Sequence, residues 1–252
     1  MGSVTNLILR GHVRRSFQDD GLYRLVRGIS ERGPLKIFIH TWGAVQSRVS
    51  WRTMPDDPTP VDDSMVRRYF RDLSGNIEAL AVEPESSVQI SGRREGVVAM
   101  SWSPIDGYKR MFYGMMRAAE MARARCEPGD VVVQTRLDVL SNWASLSHEK
   151  VLNFLDDVPE DWERIRFLIR PAASKKELEL RFDRWMRWGA EYEPHWTTGV
   201  DNMYMATAKD MLDFTRHMYT NLDAISDKYR HFIHQEWISM FEAFNPEWAT
   251  PW

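Results

Sequence analysis

Four short stretches of the chain collect residue types suited to an anionic substrate. Arg10-Gly11-His12-Val13-Arg14-Arg15 joins a glycine, which permits close backbone approach, to imidazole and guanidinium donors. His40-Thr41-Trp42 sets a titratable ring near an indole, and Arg136-Leu137-Asp138 sets a cation two residues from a carboxylate. Gly199-Val200-Asp201-Asn202 adds a carboxylate beside an amide. Guanidinium forks match phosphate oxygens through paired hydrogen bonds, and a positioned carboxylate takes a proton from a hydroxyl or ligates a hard cation. Each stretch also has a plainer use. Arg14 and Arg15 can be solvated, His40 can be a satisfied core histidine, and Asp138 can cap a helix that follows a strand.

Several chemistries lack their motif. The chain has no Gly-x-x-x-x-Gly-Lys-Ser/Thr loop, no Gly-x-Gly-x-x-Gly turn, no His-Glu-x-x-His and no Gly-x-Ser-x-Gly elbow. This removes the best sequence support for a P-loop ATPase, a nicotinamide dehydrogenase, a zincin and an α/β-hydrolase. Cys126 has no nucleophile signature around it and reads as a packing residue.

The four stretches become one site only if the elements around them align. Strand-length apolar runs at 4–10, 35–41, 77–83, 130–136, 164–170 and 202–207 alternate with helical patterns at about 18–31, 63–73, 108–125, 147–157 and 175–190. That alternation predicts an α/β fold, a Rossmann-like and mostly parallel sheet flanked by helices. In such sheets ligands bind outside the carboxyl ends of the strands, which is where three of the four stretches fall; the fourth precedes a strand. Met111, Met115, Ala118, Ala119 and Ala122 repeat at helical spacing and read as a core stripe. Two further helices, about 208–222 and 228–244, are expected as a C-terminal helical cap. The Pro-rich acidic segment 43–62 is long for a connection and reads as a lid or a disordered loop.

Bulk properties set the remaining bounds. At 252 residues, with 43% apolar and 27% charged residues, the chain reads as a single domain, 1–252. A net charge of -3 offers no global field for a polyanion, so nucleic acid is not an expected partner. One cysteine, no Asn-x-Ser/Thr acceptor and no apolar run long enough for a leader or a spanning helix lead to a cytoplasmic expectation. Eleven tryptophans suit either ordinary packing or the stacking of sugars and bases.

Taken together, Arg10-Gly-His-x-Arg-x-x-Phe17, Phe38-Ile-His-Thr-Trp42, Gly107-Tyr-Lys109, Val133-x-x-Arg-x-Asp138 and Gly199-Val-Asp-Asn202 resemble a group of bacterial surface-polysaccharide glycosyltransferases with a GT-A-like nucleotide-diphospho-sugar transferase fold. The resemblance runs from about residue 7 to 225. It implies a nucleotide-binding half at about 1–139 and an acceptor half with the helical cap at about 140–252. It also implies a hexosyltransferase-type reaction, from a nucleotide-sugar donor to a glycan, lipid-linked or other hydroxyl acceptor, in a protein soluble or peripheral at the inner membrane.

On this resemblance Gly11, His12, Arg14, His40, Trp42, Lys109 and Arg136 contact the nucleotide or its diphosphate. Asp138 and Asp201 are the catalytic acids, and Asn202 holds the acceptor. Enzymes of this fold carry an Asp-x-Asp that binds manganese or magnesium on the donor diphosphate; here the first acid is Arg136, which leaves Asp138 as the single candidate metal ligand. Two alternatives remain, a nucleotide-dependent sulfo or phosphoryl transferase and a non-catalytic carbohydrate-binding or scaffold protein of an envelope assembly complex.

Overall fold

The structure is a computed structural model that describes residues 4–47, 55–99, 101, 103–141, 147–156, 164–167, 202–230 and 235–243. In chain order the elements are β1 Thr5–Arg10, α1 Gly21–Ser30, β2 Leu35–Trp42, β3 Ala44–Gln46, β4 Asp57–Pro60 and α2 Asp63–Phe70. A 3-10 turn over Arg71–Asn76 leads to β5 Ile77–Glu83, α3 Ile105–Arg123, β6 Val131–Arg136 and α4 His148–Asp156. The remainder comprises β7 Ile165–Phe167, β8 Met203–Thr207, α5 Ala208–Lys228 and α6 Gln235–Ala243.

Six strands form one sheet in the order β5-β2-β1-β6-β8-β7. The first four run parallel, and β8 runs antiparallel to both β6 and β7. The chain leaves β1 in one direction through β2 to β5, then returns to the other side of β1 at β6. The order therefore reverses between β1 and β6, and the loops leaving these two strands both lead to the α1 and α4 side of the sheet, tied together by Ser16 and Ser141 at 3.1 Å and by Leu137 N–H to Arg10 C=O at 2.9 Å. The register sets Arg10 opposite His40 on one side and Arg136 on the other.

The central strands are apolar throughout because both faces are covered. Leu7, Leu9, Ile37, Ile39 and Val133 pack with Leu22, Leu25 and Val26 of α1, Val66 and Phe70 of α2, and Val151 and Phe154 of α4. Ile8, Phe38 and Val132 face the opposite core with Phe112, Met115 and Ala118 of α3 and Met211, Phe214 and Met218 of α5. The stripe expected on α3 is buried, apart from the partly buried Met111. This helix begins at Ile105, directly after Pro104 and with Asp106 in its first turn, a start that Gly107 obscures in the sequence. Helix α5 runs unbroken to Lys228, since its buried stripe continues through Leu222 and Ile225. It lies alongside α3 as a layer of the fold. Thr207 starts it by accepting from the Asp210 backbone N–H at 3.0 Å.

The segment 43–62 corrects one expectation. Its ends are an antiparallel ribbon, with Ala44 opposite Pro60 and Gln46 opposite Asp57. Pro58 and Pro60 read as breakers, yet a two-stranded ribbon tolerates residues that donate nothing to a ladder. The ribbon is fixed to the carboxyl edge of the sheet by Gly43 N–H to Glu83 C=O at 2.9 Å and Arg14 N–H to Val45 C=O at 2.9 Å. The expected helix at 175–190 and the end of the strand expected at 164–170 lie outside the described residues. No helix among the described residues is long and apolar enough to cross a membrane.

Candidate functional site

Asp138 is 3% exposed and stands just beyond β6, at the point where the strand order reverses. Its Oδ1 accepts from Arg136 Nε at 2.7 Å. Its Oδ2 accepts from Arg136 Nη2 at 2.8 Å and from Arg14 Nη1 at 2.6 Å. The side chain is therefore not a helix cap; both of its oxygens serve guanidinium groups. Burial alone would push this carboxyl up, but Arg136, then Arg14 and Arg10, hold it well below the usual carboxylate range. Three guanidinium groups thus act on one buried carboxylate.

The backbone around Arg14 is specialised. Gly11 has φ 95°, where a side chain would be strained although nothing within 4 Å would obstruct it. Arg14 itself has φ 48°, a conformation that costs a non-glycine residue on the order of 1 kcal/mol or more. The β3–β4 ribbon and Asp138 together hold it there. Arg14 uses one guanidinium N–H on Asp138, and its Nε is buried without a hydrogen-bond partner.

A second group lies on the α3 face, toward β5. His40 is fully buried, its Nε2 3.5 Å from Glu83 Oε2, and it meets Trp42 and Tyr113 edge-on with ring centroids 5.0 and 5.8 Å apart. The Tyr113 hydroxyl donates to Glu83 at 2.6 Å, and Arg117 pairs with the same carboxylate at 3.3 Å. These partners, His40 foremost, lower the Glu83 pKa to about 2, while burial and Glu83 raise that of Tyr113 to about 12. His12 Nε2 lies 2.9 Å from Glu85 Oε1, and Glu85 accepts from Ser47 Oγ at 2.8 Å. The loop after β1 is thus joined to the loop after β5 and to the ribbon.

The expected site residues separate into groups. Gly11, Arg14, Arg136 and Asp138 come together, while His12, His40 and Trp42 line the adjoining stretch of the same edge. Lys109 is turned to other work: its buried Nζ donates to the Ser91 carbonyl at 2.7 Å and pairs with Asp223 of α5 at 2.8 Å. Its contacts do not include the arginine cluster. Asn202 is buried just before β8, its carbonyl accepting from Thr135 Oγ1 at 2.8 Å, which puts it at the β6 carboxyl end. Asp201 lies outside the described residues. Glu83 and Glu85 are not among the expected site residues, and Arg10, though it opens the first stretch, has no role assigned there; Glu83 ends a predicted strand and Glu85 closely follows it, so the strand-end rule applied evenly includes them.

The expected metal does not fit Asp138. A divalent cation needs carboxylate lone pairs free of competing cations, and both oxygens here already accept from arginines. No group of three or more potential ligands is found among the described residues. Comparison with protein-family models, curated proteins and solved structures gives no match to this chain.

Proposed function

We propose that this chain is a glycosyltransferase that moves a sugar from a nucleotide-diphospho-sugar to a hydroxyl acceptor, in cell-surface polysaccharide synthesis. The observation that carries the reading is the cluster of Arg10, Arg14 and Arg136 at the carboxyl edge of the parallel strands, the edge at which such sheets take up ligands. A GT-A-like fold, with its nucleotide half ending near residue 139 and its acceptor half beyond, agrees with that placement.

The chemistry follows from charge. As the bond between the anomeric carbon and the donor's terminal phosphate oxygen breaks, both bonding electrons leave with that oxygen. Guanidinium groups already fixed in a partly closed site stabilise the growing negative charge without reorganising. The acceptor hydroxyl oxygen supplies the electron pair of the new glycosidic bond and loses its proton to a carboxylate, the role assigned to Asp201. Asn202 at the same edge orients the acceptor. His40 and Trp42 line the nucleotide side, with Glu83 fixing the imidazole.

Thermal denaturation with a panel of nucleotides tests this reading. A UDP or GDP concentration a hundredfold above Kd should stabilise the fold by about 2.7 kcal/mol, with the parent nucleosides giving much less. Stabilisation by an adenosine bisphosphate alone would replace sugar transfer with sulfo transfer. No response to any nucleotide would reject the reading.

A further inference from the structure

We infer that the donor's diphosphate is held without a divalent cation, by Arg14 and Arg136, and that Asp138 is a positioning residue that aims the two guanidinium groups. The inference rests on the nucleotide-sugar reading above and concerns the means by which that same site neutralises its substrate.

The geometry points this way in three respects. First, Asp138 accepts from three N–H groups at 2.6 to 2.8 Å, two from Arg136 and one from Arg14, so its lone pairs are directed at guanidinium groups. A hard cation placed there would have to displace them while meeting their repulsion. Second, a guanidinium has five N–H donors, and Arg14 uses one of them on Asp138. Its Nε is buried and unpartnered, while the side chain as a whole remains 21% exposed. A buried donor without an acceptor is unfavourable, and a phosphate oxygen reaching it would supply the missing bond. Third, the loop that carries Arg14 is preset. Gly11 and Arg14 both sit at positive φ, and the ribbon holds the Arg14 backbone through Val45. A flexible lysine-like charge would need none of this; a planar fork that must meet a phosphate at a fixed angle does. Asp138 therefore acts through the arginines and need not touch the donor.

The test is calorimetric titration of the full chain with UDP and with GDP, in buffer containing excess EDTA and again with excess manganese. The affinity of whichever nucleotide binds should agree between the two buffers to within about twofold. Arg14→Ala should weaken the diphosphate by about tenfold or more in both buffers, while leaving the parent nucleoside unchanged, since only the phosphate contact is lost. Asp138→Asn should weaken the diphosphate equally in both buffers, with no rescue by manganese. If that variant fails to fold, Arg14→Ala, at a partly exposed position, carries the test. Binding that disappears in EDTA and returns with manganese would overturn the inference and leave the nucleotide-sugar reading standing. So would Arg14→Ala without effect. Absence of nucleoside diphosphate binding in both buffers would remove the underlying reading as well.

Discussion

Asp138 shows how one side chain takes its role from residues far away in sequence. Alone and buried it would be a costly charge; among three guanidinium groups its pKa is held well below the ordinary carboxylate range. Removing the charge takes away the carboxylate that both Arg14 and Arg136 bond, so Asp138→Asn should destabilise the fold by about 3 kcal/mol in urea unfolding near neutral pH. The sign of its pH dependence follows from the depressed pKa. The folded state binds this proton less readily than the unfolded chain, so the stabilisation is fully present above the ordinary carboxylate pKa. It is lost only as pH falls through the much lower folded value. The gap between wild type and variant should therefore persist down to about pH 4 and close below it. A variant as stable as wild type at pH 7 would mean that the arginine contacts contribute nothing. Of this site, Arg136-x-Asp138 was legible as chemistry at a strand end. The bond from Arg14 was not, because it spans 124 residues and exists only once β1 and β6 pair in register.

At the scale of elements, helix α3 has to pass close over the carboxyl ends of β1 and β2, and Gly114 is where it does so. A Cβ at this position would come within 2.9 Å of His40 Nδ1 and 3.2 Å of Cε1. Alanine in a helix interior ordinarily gains up to about 1 kcal/mol over glycine. Here the fully buried imidazole, enclosed by Trp42, Tyr113 and Glu83, has little room to yield, so overpacking at about 1–3 kcal/mol should win. Gly114→Ala is thus expected to lower the urea midpoint; a raised midpoint would show that the His40 pocket is loose. The period of the α3 stripe was readable in the sequence, but the close approach was not, since a glycine within a helical pattern says nothing of what crosses it. The β3–β4 ribbon escaped for a different reason. Its strands are only three and four residues long and contain Pro58 and Pro60, and they are tied to the carboxyl edge by Arg14, whose N–H donates to Val45, and by Glu83, whose carbonyl accepts from Gly43.

For the whole molecule, alternating apolar runs located all six strands of the main sheet, but strand order decides function and periodicity does not carry it. The return of β6 to the far side of β1 is what brings Arg10, Arg14 and Arg136 to one corner, with Gly11, His12, His40 and Trp42 beside it. The antiparallel β8 then leads Asn202 in from the opposite direction to the same end. A net charge of -3 gives no sign of three arginines gathered at one corner, since composition averages over the surface a ligand meets. The central claim is that an anionic diphosphate occupies this corner. It is tested most directly by a crystal structure of the protein grown with the nucleoside diphosphate that stabilises it most, in the presence of EDTA. Phosphate oxygens are expected about 2.7–2.9 Å from guanidinium nitrogens of Arg14 and Arg136, with Asp138 still bonded to both side chains. A nucleotide bound elsewhere on the protein, or phosphates held away from both arginines, would contradict it.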